Sequence, residues 1–570
     1  MEILSCEGLT FSYKDSENFA LEDCTFAVEK GEKVLLCGLS GSGKSTLLRL
    51  LKRELAPIGK KEGEIKLFGA SQEDISERES ARRIGFVMQD PDAQTVCDKV
   101  SAELAFGLES LGVKSGEILS RVGEMAAFFG IERLYDRDIS TLSGGQKQLV
   151  NLCAVMVMNP DILLLDEPTA QLDPVAARDF LSILERLNKE LGLTVIIAEH
   201  QPEGIFDSCD RVLYMENGRV KLLAEPKKAA EYFADNGLTE FLPRSAAVFE
   251  GIVEGELPLD VRSAKRRFTE IVGNDIENEM TAEQLGRRGR RPLHQRSDEV
   301  KSDIVLQAEN VWQRYEKDLP DVIKGADLRL FKGECYGLLG SNGVGKSTFI
   351  KVLCGLEKAY MGKVKVMGKG LKSYKNGALF KNMLAVMPQK PVTMFIRETV
   401  REDFLLTLSH MGGTAEENEQ AIQDCAQRLG IGELLERHPY DLSGGEIQKC
   451  AFGKIMLSRP RIMILDECTK GLDGFGKKAL GEIIEGFKAE GITLLIVTHD
   501  LEFAAQYCDR CGLFFEGKIV SEGRSAEFFS KNSFYTTAAA RITRGIAEDI
   551  VTVGQAREYL KNLHKTKGLE

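Results

Sequence analysis

The sequence has no long hydrophobic run. None of its 570 residues belongs to a stretch approaching the roughly 20 consecutive apolar residues of a bilayer-spanning helix. Any work at a membrane therefore calls for a partner subunit. The opening Met1-Glu2-Ile3-Leu4-Ser5-Cys6-Glu7 has neither the basic nor the apolar region of a signal peptide, so a cytosolic chain is expected. Paired cysteine motifs are scarce: 13 cysteines include one C-x-x-C, at Cys508 and Cys511, with no second pair to complete a zinc site. Cys37, Cys153 and Cys354 sit inside apolar segments and read as reduced, buried thiols. Excess positive charge is missing too. The formal net charge of −12 argues against a general nucleic-acid binder and leaves room for a local basic patch. What remains is a globular composition, 43% hydrophobic and 28% charged, in a chain too long for one ordinary core.

The organising stretch is Gly38-Leu39-Ser40-Gly41-Ser42-Gly43-Lys44-Ser45-Thr46, between an apolar run at 33–37 and a helical run at 47–51. Strand, glycine loop and helix with G-x-x-x-x-G-K-[ST] spacing form a P-loop. Its glycines let backbone N–H groups turn inward on phosphate oxygens, and the helix N-terminus adds partial positive charge. Lys44 can reach the β- and γ-phosphates, and Ser45 is placed to ligate Mg²⁺. Binding of a nucleoside triphosphate is expected.

The chain contains itself twice. A second loop, Gly340-Ser341-Asn342-Gly343-Val344-Gly345-Lys346-Ser347-Thr348, lies 302 residues beyond the first. Gln89 and Gln389, Ser143-Gly144-Gly145 and Ser443-Gly444-Gly445, and Asp166-Glu167 and Asp466-Glu467 each repeat at 300. His200 and His499 differ by 299, and Tyr13 and Tyr315 by 302. Shared offsets of this kind indicate a tandem duplication.

Each Ser-Gly-Gly opens a helical run and offers N–H groups to an anion. Asp166 and Asp466 end fully apolar strands, where a carboxylate can hold Mg²⁺ beside the P-loop. Glu167 and Glu467 follow by one residue, suited to polarising an attacking water. Residues 1–23 read as an antiparallel hairpin with Glu17 and Asn18 in its turn, residues 63–69 as a strand, and 96–130 as helical. Within the helical stretches, Val96, Val100, Leu104, Phe106 and Leu108, with Val392, Met394, Phe395, Ile396, Val400 and Phe404 in the copy, are either core or the rim of a partner-binding groove.

Over nearly its whole length the chain resembles the ATP-binding-cassette ATPases, most specifically in the Ser-Gly-Gly placed 23 residues before each strand-ending aspartate. The resemblance implies an α/β fold of two tandem P-loop NTPase domains. Each would have a RecA-like core, an antiparallel β subdomain and a helical subdomain. The expected boundaries are a first cassette at 1–225, a linker and extension at 226–303, a second cassette at 304–530 and a partly helical tail at 531–570. The implied activity is ATP hydrolysis with Mg²⁺. By the same resemblance Tyr13 and Tyr315 stack on adenine, although each is also readable as an ordinary strand tyrosine. Gln89 and Gln389 touch Mg²⁺ and the attacking water, the Leu172-Asp173 loop signals across the dimer, and His200 and His499 contact the γ-phosphate. Each Ser-Gly-Gly would serve the nucleotide held by the other P-loop, so two competent, composite sites are expected. In the copy, Glu446 replaces the signature glutamine and Cys468 the proline after the glutamate; neither removes a catalytic group, but the Glu446 charge near phosphate would make the two sites turn over unequally.

Met88-Gln89-Asp90-Pro91-Asp92-Ala93-Gln94 and the two histidine regions are similar to those of the energy-coupling-factor importers of vitamins and transition-metal ions. That implies a peripheral position on the cytoplasmic face of the membrane, an integral coupling subunit and a small substrate-binding membrane protein, with no nucleic acid. The alternative is a soluble tandem cassette acting on ribosomes. Arg287, Arg288, Arg290, Arg291 and Arg296 favour it mildly, while Glu199-His200-Gln201 and Thr498-His499-Asp500-Leu501 count against it. The arginine cluster reads as a solvated linker or as a patch meeting anionic lipid or RNA.

Overall fold

The computed structural model describes residues 1–14, 18–200, 202–253, 255–279, 304–375 and 377–566. Glu17, Gln201 and the arginine cluster at 287–296 lie outside them. The chain forms two compact units, Met1–Ala264 and Lys265–Glu570.

The first unit is built on a six-stranded sheet in the order Arg219–Ala224, Arg211–Glu216, Lys33–Gly38, Thr194–Ala198, Ile162–Asp166, Ile84–Val87. All pairs are parallel except that of the first two strands. Ile162–Asp166 and Thr194–Ala198 are buried throughout, which is why they read as unbroken apolar runs instead of alternating ones. A four-stranded antiparallel sheet, in the order Leu21–Glu29, Glu2–Tyr13, Gly59–Leu67, Ala70–Ser71, forms the second layer. The strand expected over 63–69 therefore starts earlier. Gly63 lies inside it, at φ 86°, and a Cβ there would sit 2.4 Å from the Gly8 carbonyl oxygen, so this glycine marks a bulge and not a strand end.

The helical stretch at 96–130 is two helices, Val100–Ser110 and Ser115–Phe129, broken around Gly112 at φ 70°. They pack with Gly144–Met156 as a helical subdomain. Val100, Leu104 and Leu108 are core; Val96 precedes the first helix and is 65% exposed. Beyond the sheet, Pro226–Asp235 and the turn Thr239–Phe241 bury Phe233 and Phe241 against Tyr214, with ring centroids 5.3 and 5.2 Å from it. Residues 226–249 are thus a packed extension of the first unit.

The second unit repeats the plan. Its six strands run Leu384–Met387, Ile462–Asp466, Thr493–Val497, Cys335–Leu339, Arg510–Phe515, Lys518–Arg524. Its antiparallel sheet runs Ile323–Phe331, Ile304–Gln313, Met361–Val366, Lys369–Gly370. Val400, Phe404 and Phe395 are core, whereas Ile396 is 73% exposed. The amphipathic tail helix is Val553–Thr566, with Ala556 and Leu560 buried. Every cysteine is free, and all but Cys97 are buried, Cys508 and Cys511 included. The expected fold, with its three subdomains in each half, is borne out.

Candidate functional site

In each unit the P-loop leaves the central strand and enters a helix, Lys44–Leu51 or Lys346–Leu353. The residues before these helices, Gly43 and Gly345, have φ of 97° and 104°, and no side chain caps either helix. The first helical N–H groups therefore stay open to an anion. A Cβ on Gly38 would sit 2.3 Å from the Met215 carbonyl oxygen, and one on Gly340 2.4 Å from that of Phe514. Gly41 and Gly343, with Ser40 and Asn342 beside them, form the open lip of each loop.

The Lys44 ammonium donates to the Gly38 and Leu39 carbonyls at 2.8 and 2.9 Å, and Lys346 repeats this with Gly340 and Ser341 at the same distances. Each charge is held at the mouth of its own loop. Thr46 bonds the Tyr13 hydroxyl at 2.9 Å and Thr348 that of Tyr315 at 2.8 Å, so both tyrosines are fixed beside the P-loop with part of each ring exposed.

The carboxylates come to the same place. Ser45 Oγ donates to Asp166 Oδ1 at 2.8 Å. Burial raises the Asp166 pKa, partly offset by that bond; burial likewise pushes Asp466 up to about 6 against the lowering effect of Ser347. Glu167 is held from two sides, with Gln89 Nε2 2.7 Å from Oε2 and His200 Nε2 2.7 Å from Oε1. The copy differs. His499 Nδ1 lies 2.8 Å from Glu467 Oε2 without an aligned hydrogen bond, Lys346 is 3.9 Å from Oε1, and Gln389 is exposed and bonds neither. Burial raises the Glu467 pKa, but His499 and Lys346 outweigh it and the net shift is downward. Glu167 and Glu467 both take left-handed backbone, at φ 47° and 55°. This strained conformation, worth on the order of 1–3 kcal/mol, persists where the surroundings over-determine it.

These residues fit a triphosphate with Mg²⁺. The donors are all hard oxygens, and Asp466 Oδ1 is buried without a hydrogen-bond partner, as are both carboxylate oxygens of Glu467. Among the described residues no group of three or more His, Cys, Asp or Glu forms a ready metal cage. Mg²⁺ is commonly held by one or two protein groups and the phosphates themselves.

Ser143 and Ser443 cap the helices Gly144–Met156 and Gly444–Leu457. Each forms a capping box, with Gln146 in the first unit and Glu446 in the second. The Glu446 carboxylate accepts from Ser443 N at 2.8 Å; the Ser443 hydroxyl, then this bond and the Arg437 charge, lower its pKa. An acid in the first helical turn suits the helix dipole, so the change from glutamine keeps the cap intact. Asp173 caps the helix Pro174–Leu191 through the Val175 and Ala176 N–H groups.

Two residues of the site escaped sequence reading. Glu199 is buried and accepts from Thr169 N at 3.0 Å and Thr169 Oγ1 at 2.7 Å. Burial, opposed by these bonds and reinforced by the Glu167 charge, pushes it up to about 8. The copy has Thr498 there, bonded to Thr469 at 2.9 Å; an acid closing an apolar strand was the available signal. Tyr535, from the tail, meets Ser341 of the second P-loop at 2.6 Å. The corresponding Leu39 has no hydroxyl, and nothing in the sequence pairs those positions.

Fold and site together define a P-loop ATPase with its nucleotide machinery present twice. The family model "ABC transporter" matches residues 21–170 and 323–470. A Bacillus cereus protein named as an ABC transporter ATP-binding protein is 39% identical over 94% of both chains. One from Methanosarcina acetivorans with the same description is 32% identical over 92% of this chain and 86% of its own. Among solved structures, cbiO1 of Clostridium perfringens, part of the transporter complex cbiONQ, is 35% identical and covers 42% of this chain and 93% of its own, with a TM-score of 0.37. An archaeal ribosome recycling factor, aABCE1, in complex with a ribosomal stalk protein, covers 92% of this chain and 91% of its own at 21% identity and a TM-score of 0.56, a likeness of fold alone. The chain belongs to the ABC transporter family of ATP-binding proteins. It is an ATPase, and its two cassettes bind ATP, with Mg²⁺ the ion such domains generally use.

Proposed function

We propose that this ATPase is the motor of an energy-coupling-factor type importer for vitamins or transition-metal ions, peripheral to the membrane and bound to an integral coupling subunit and a small substrate-binding subunit. The carrying observation is paired. Val96 and Ile396, seven residues beyond Gln89 and Gln389 respectively, expose a branched apolar side chain at equivalent positions in both halves. Val100, Leu104 and Leu108, with Phe395, Val400 and Phe404 in the copy, are core, while Phe106 is also 43% exposed, so Val96 and Ile396 suit the rim of a surface that a partner's helix would cover. No helix among the described residues is long and apolar enough to cross a membrane, which leaves transport to such a partner.

In this reading the halves close on ATP. Lys44, Ser45, Gln89, Asp166, Glu167 and His200 join Ser443-Gly444-Gly445; Lys346, Ser347, Gln389, Asp466, Glu467 and His499 join Ser143-Gly144-Gly145. Ser45 with Asp166, and Ser347 with Asp466, would hold Mg²⁺, which when bound neutralises charge on the phosphate oxygens. The P-loop N–H groups and lysine orient the triphosphate for in-line attack, where positioning and charge neutralisation carry most of the catalysis. Glu167 accepts hydrogen bonds from the attacking water, and Gln89 and His200 keep that carboxylate in place. Tyr13 and Tyr315 offer ring faces to the adenine.

The test is isolation of the tagged full-length E167Q/E467Q chain from its native cells in ATP. Multi-span membrane proteins should come with it; ribosomes in their place would overturn the reading.

A further inference from the structure

Between Glu357 and Glu398 the second unit has eight lysines, one arginine and no acidic residue, within a chain of net charge −12. Lys358, Lys363, Lys369, Lys372, Lys375 and Lys381 are exposed, and none forms an ion pair among the described residues. They belong to one small region, the strands Met361–Val366 and Lys369–Gly370 and the short turns Leu371–Ser373 and Ala378–Phe380 that follow. The one acid in cross-strand register, Glu309 opposite Lys363, makes no ion pair with it. Asp321 is already engaged by the Tyr360 hydroxyl at 2.9 Å.

The duplication supplies an internal control. The same region of the first unit mixes its charges and pairs them: Lys61 with Glu73 at 3.4 Å, and Lys66 with Glu7 at 3.0 Å and Glu64 at 3.3 Å. The fold therefore does not require unpaired lysines here. Six like charges in one short segment without paired acids repel one another, and an anionic surface would relieve that cost.

We infer that this face of the second unit docks on an anionic lipid surface. Apolar side chains stand among the lysines: Leu356, Met361 and Phe380 are all substantially exposed, and Met361 shares a strand face with Lys363. Aliphatic groups beside lysines are the chemistry of a headgroup interface, where ammonium groups meet phosphates and apolar groups reach the acyl boundary. RNA fits less well. Successive bases want a run of open aromatic faces, and the region exposes Phe380 and a Tyr360 that has the Arg314 guanidinium over its ring, 4.6 Å from the centroid. Lysine also lacks the planar fork that arginine offers to nucleic-acid phosphates.

The experiment uses the full-length chain and sedimentation with vesicles of phosphatidylcholine alone or with about 30% phosphatidylglycerol, near 0.1 M salt where surface charge is only partly screened. Binding should require the anionic lipid and weaken as salt rises. In the K363Q/K369Q/K372Q/K375Q chain it should fall at least about tenfold, since each lysine near such a surface contributes about fivefold, while ATP hydrolysis stays unchanged. Should that chain fail to fold, K369Q and K372Q singly should each lower binding about threefold to fivefold. Equal binding to both vesicle types, a neutralised chain that binds like the parent, or lysine-dependent binding of an RNA oligomer without vesicle binding would overturn the inference.

Discussion

Glu167 and Glu467 occupy equivalent positions yet sit in different surroundings. Glu167 is held by both Gln89 and His200, whereas Glu467 is approached by His499 and Lys346 and has no aligned partner. Replacing both by Gln should lower ATP turnover by at least about 100-fold, the scale of a lost general base, while ATP binding persists. Steady-state hydrolysis beside nucleotide retention checks this. Glu199 makes a different prediction. Burial and the neighbouring Glu167 charge lift its pKa from the ordinary 4.5 to about 8. Between those values the folded state holds a proton that the unfolded state has released, so stability falls as pH rises through about 4.5 to 8 and levels off above. The E199Q chain should melt like the parent near pH 5 and increasingly above it toward pH 8. A melting difference independent of pH would place the effect elsewhere. Tyr535 meets the second P-loop through Ser341. Y535F should weaken ATP binding at one site by about fivefold, the value of one hydrogen bond near 1 kcal/mol, and leave the other alone. A nucleotide titration of the E167Q/E467Q chain would resolve the two.

At the scale of elements, motifs were legible where chemistry restricts the residue type. A P-loop needs glycine where Gly38 and Gly340 meet a carbonyl oxygen at 2.3 and 2.4 Å, and strands covered on both faces need unbroken apolar runs. Legibility failed where local signals were ambiguous. Gly63 punctuates a strand as readily as it ends one, and the break near Gly112 falls inside a pattern whose apolar spacing continues across it. Contacts between distant segments, such as Glu199 with Thr169 and Tyr535 with Ser341, leave no periodicity to read. The capping boxes show the same limit: Glu446 reads as an intruder in the signature but bonds Ser443 N. E446Q should therefore leave stability unchanged, and E446A should cost about 1 kcal/mol, the usual value of an N-terminal cap interaction. Denaturant unfolding of the two variants distinguishes a cap from a bystander.

For the whole molecule, the duplication carries two kinds of information. Features repeated in both units, such as Tyr13 and Tyr315 on their P-loop threonines or the exposed Val96 and Ile396, point to a function shared by the halves. Features present once, such as Glu199, Tyr535 and the unpaired lysines of the second unit, point to work divided between them. We propose that each signature loop completes the nucleotide site of the other cassette, so that ATP joins the halves. The most direct measurement is the amount of ATP occluded per chain by E167Q/E467Q protein, with and without S443R. Two ATP per chain are expected in the first case, and loss of the one held by Lys44 in the second. Two ATP still occluded in the S443R chain would contradict it.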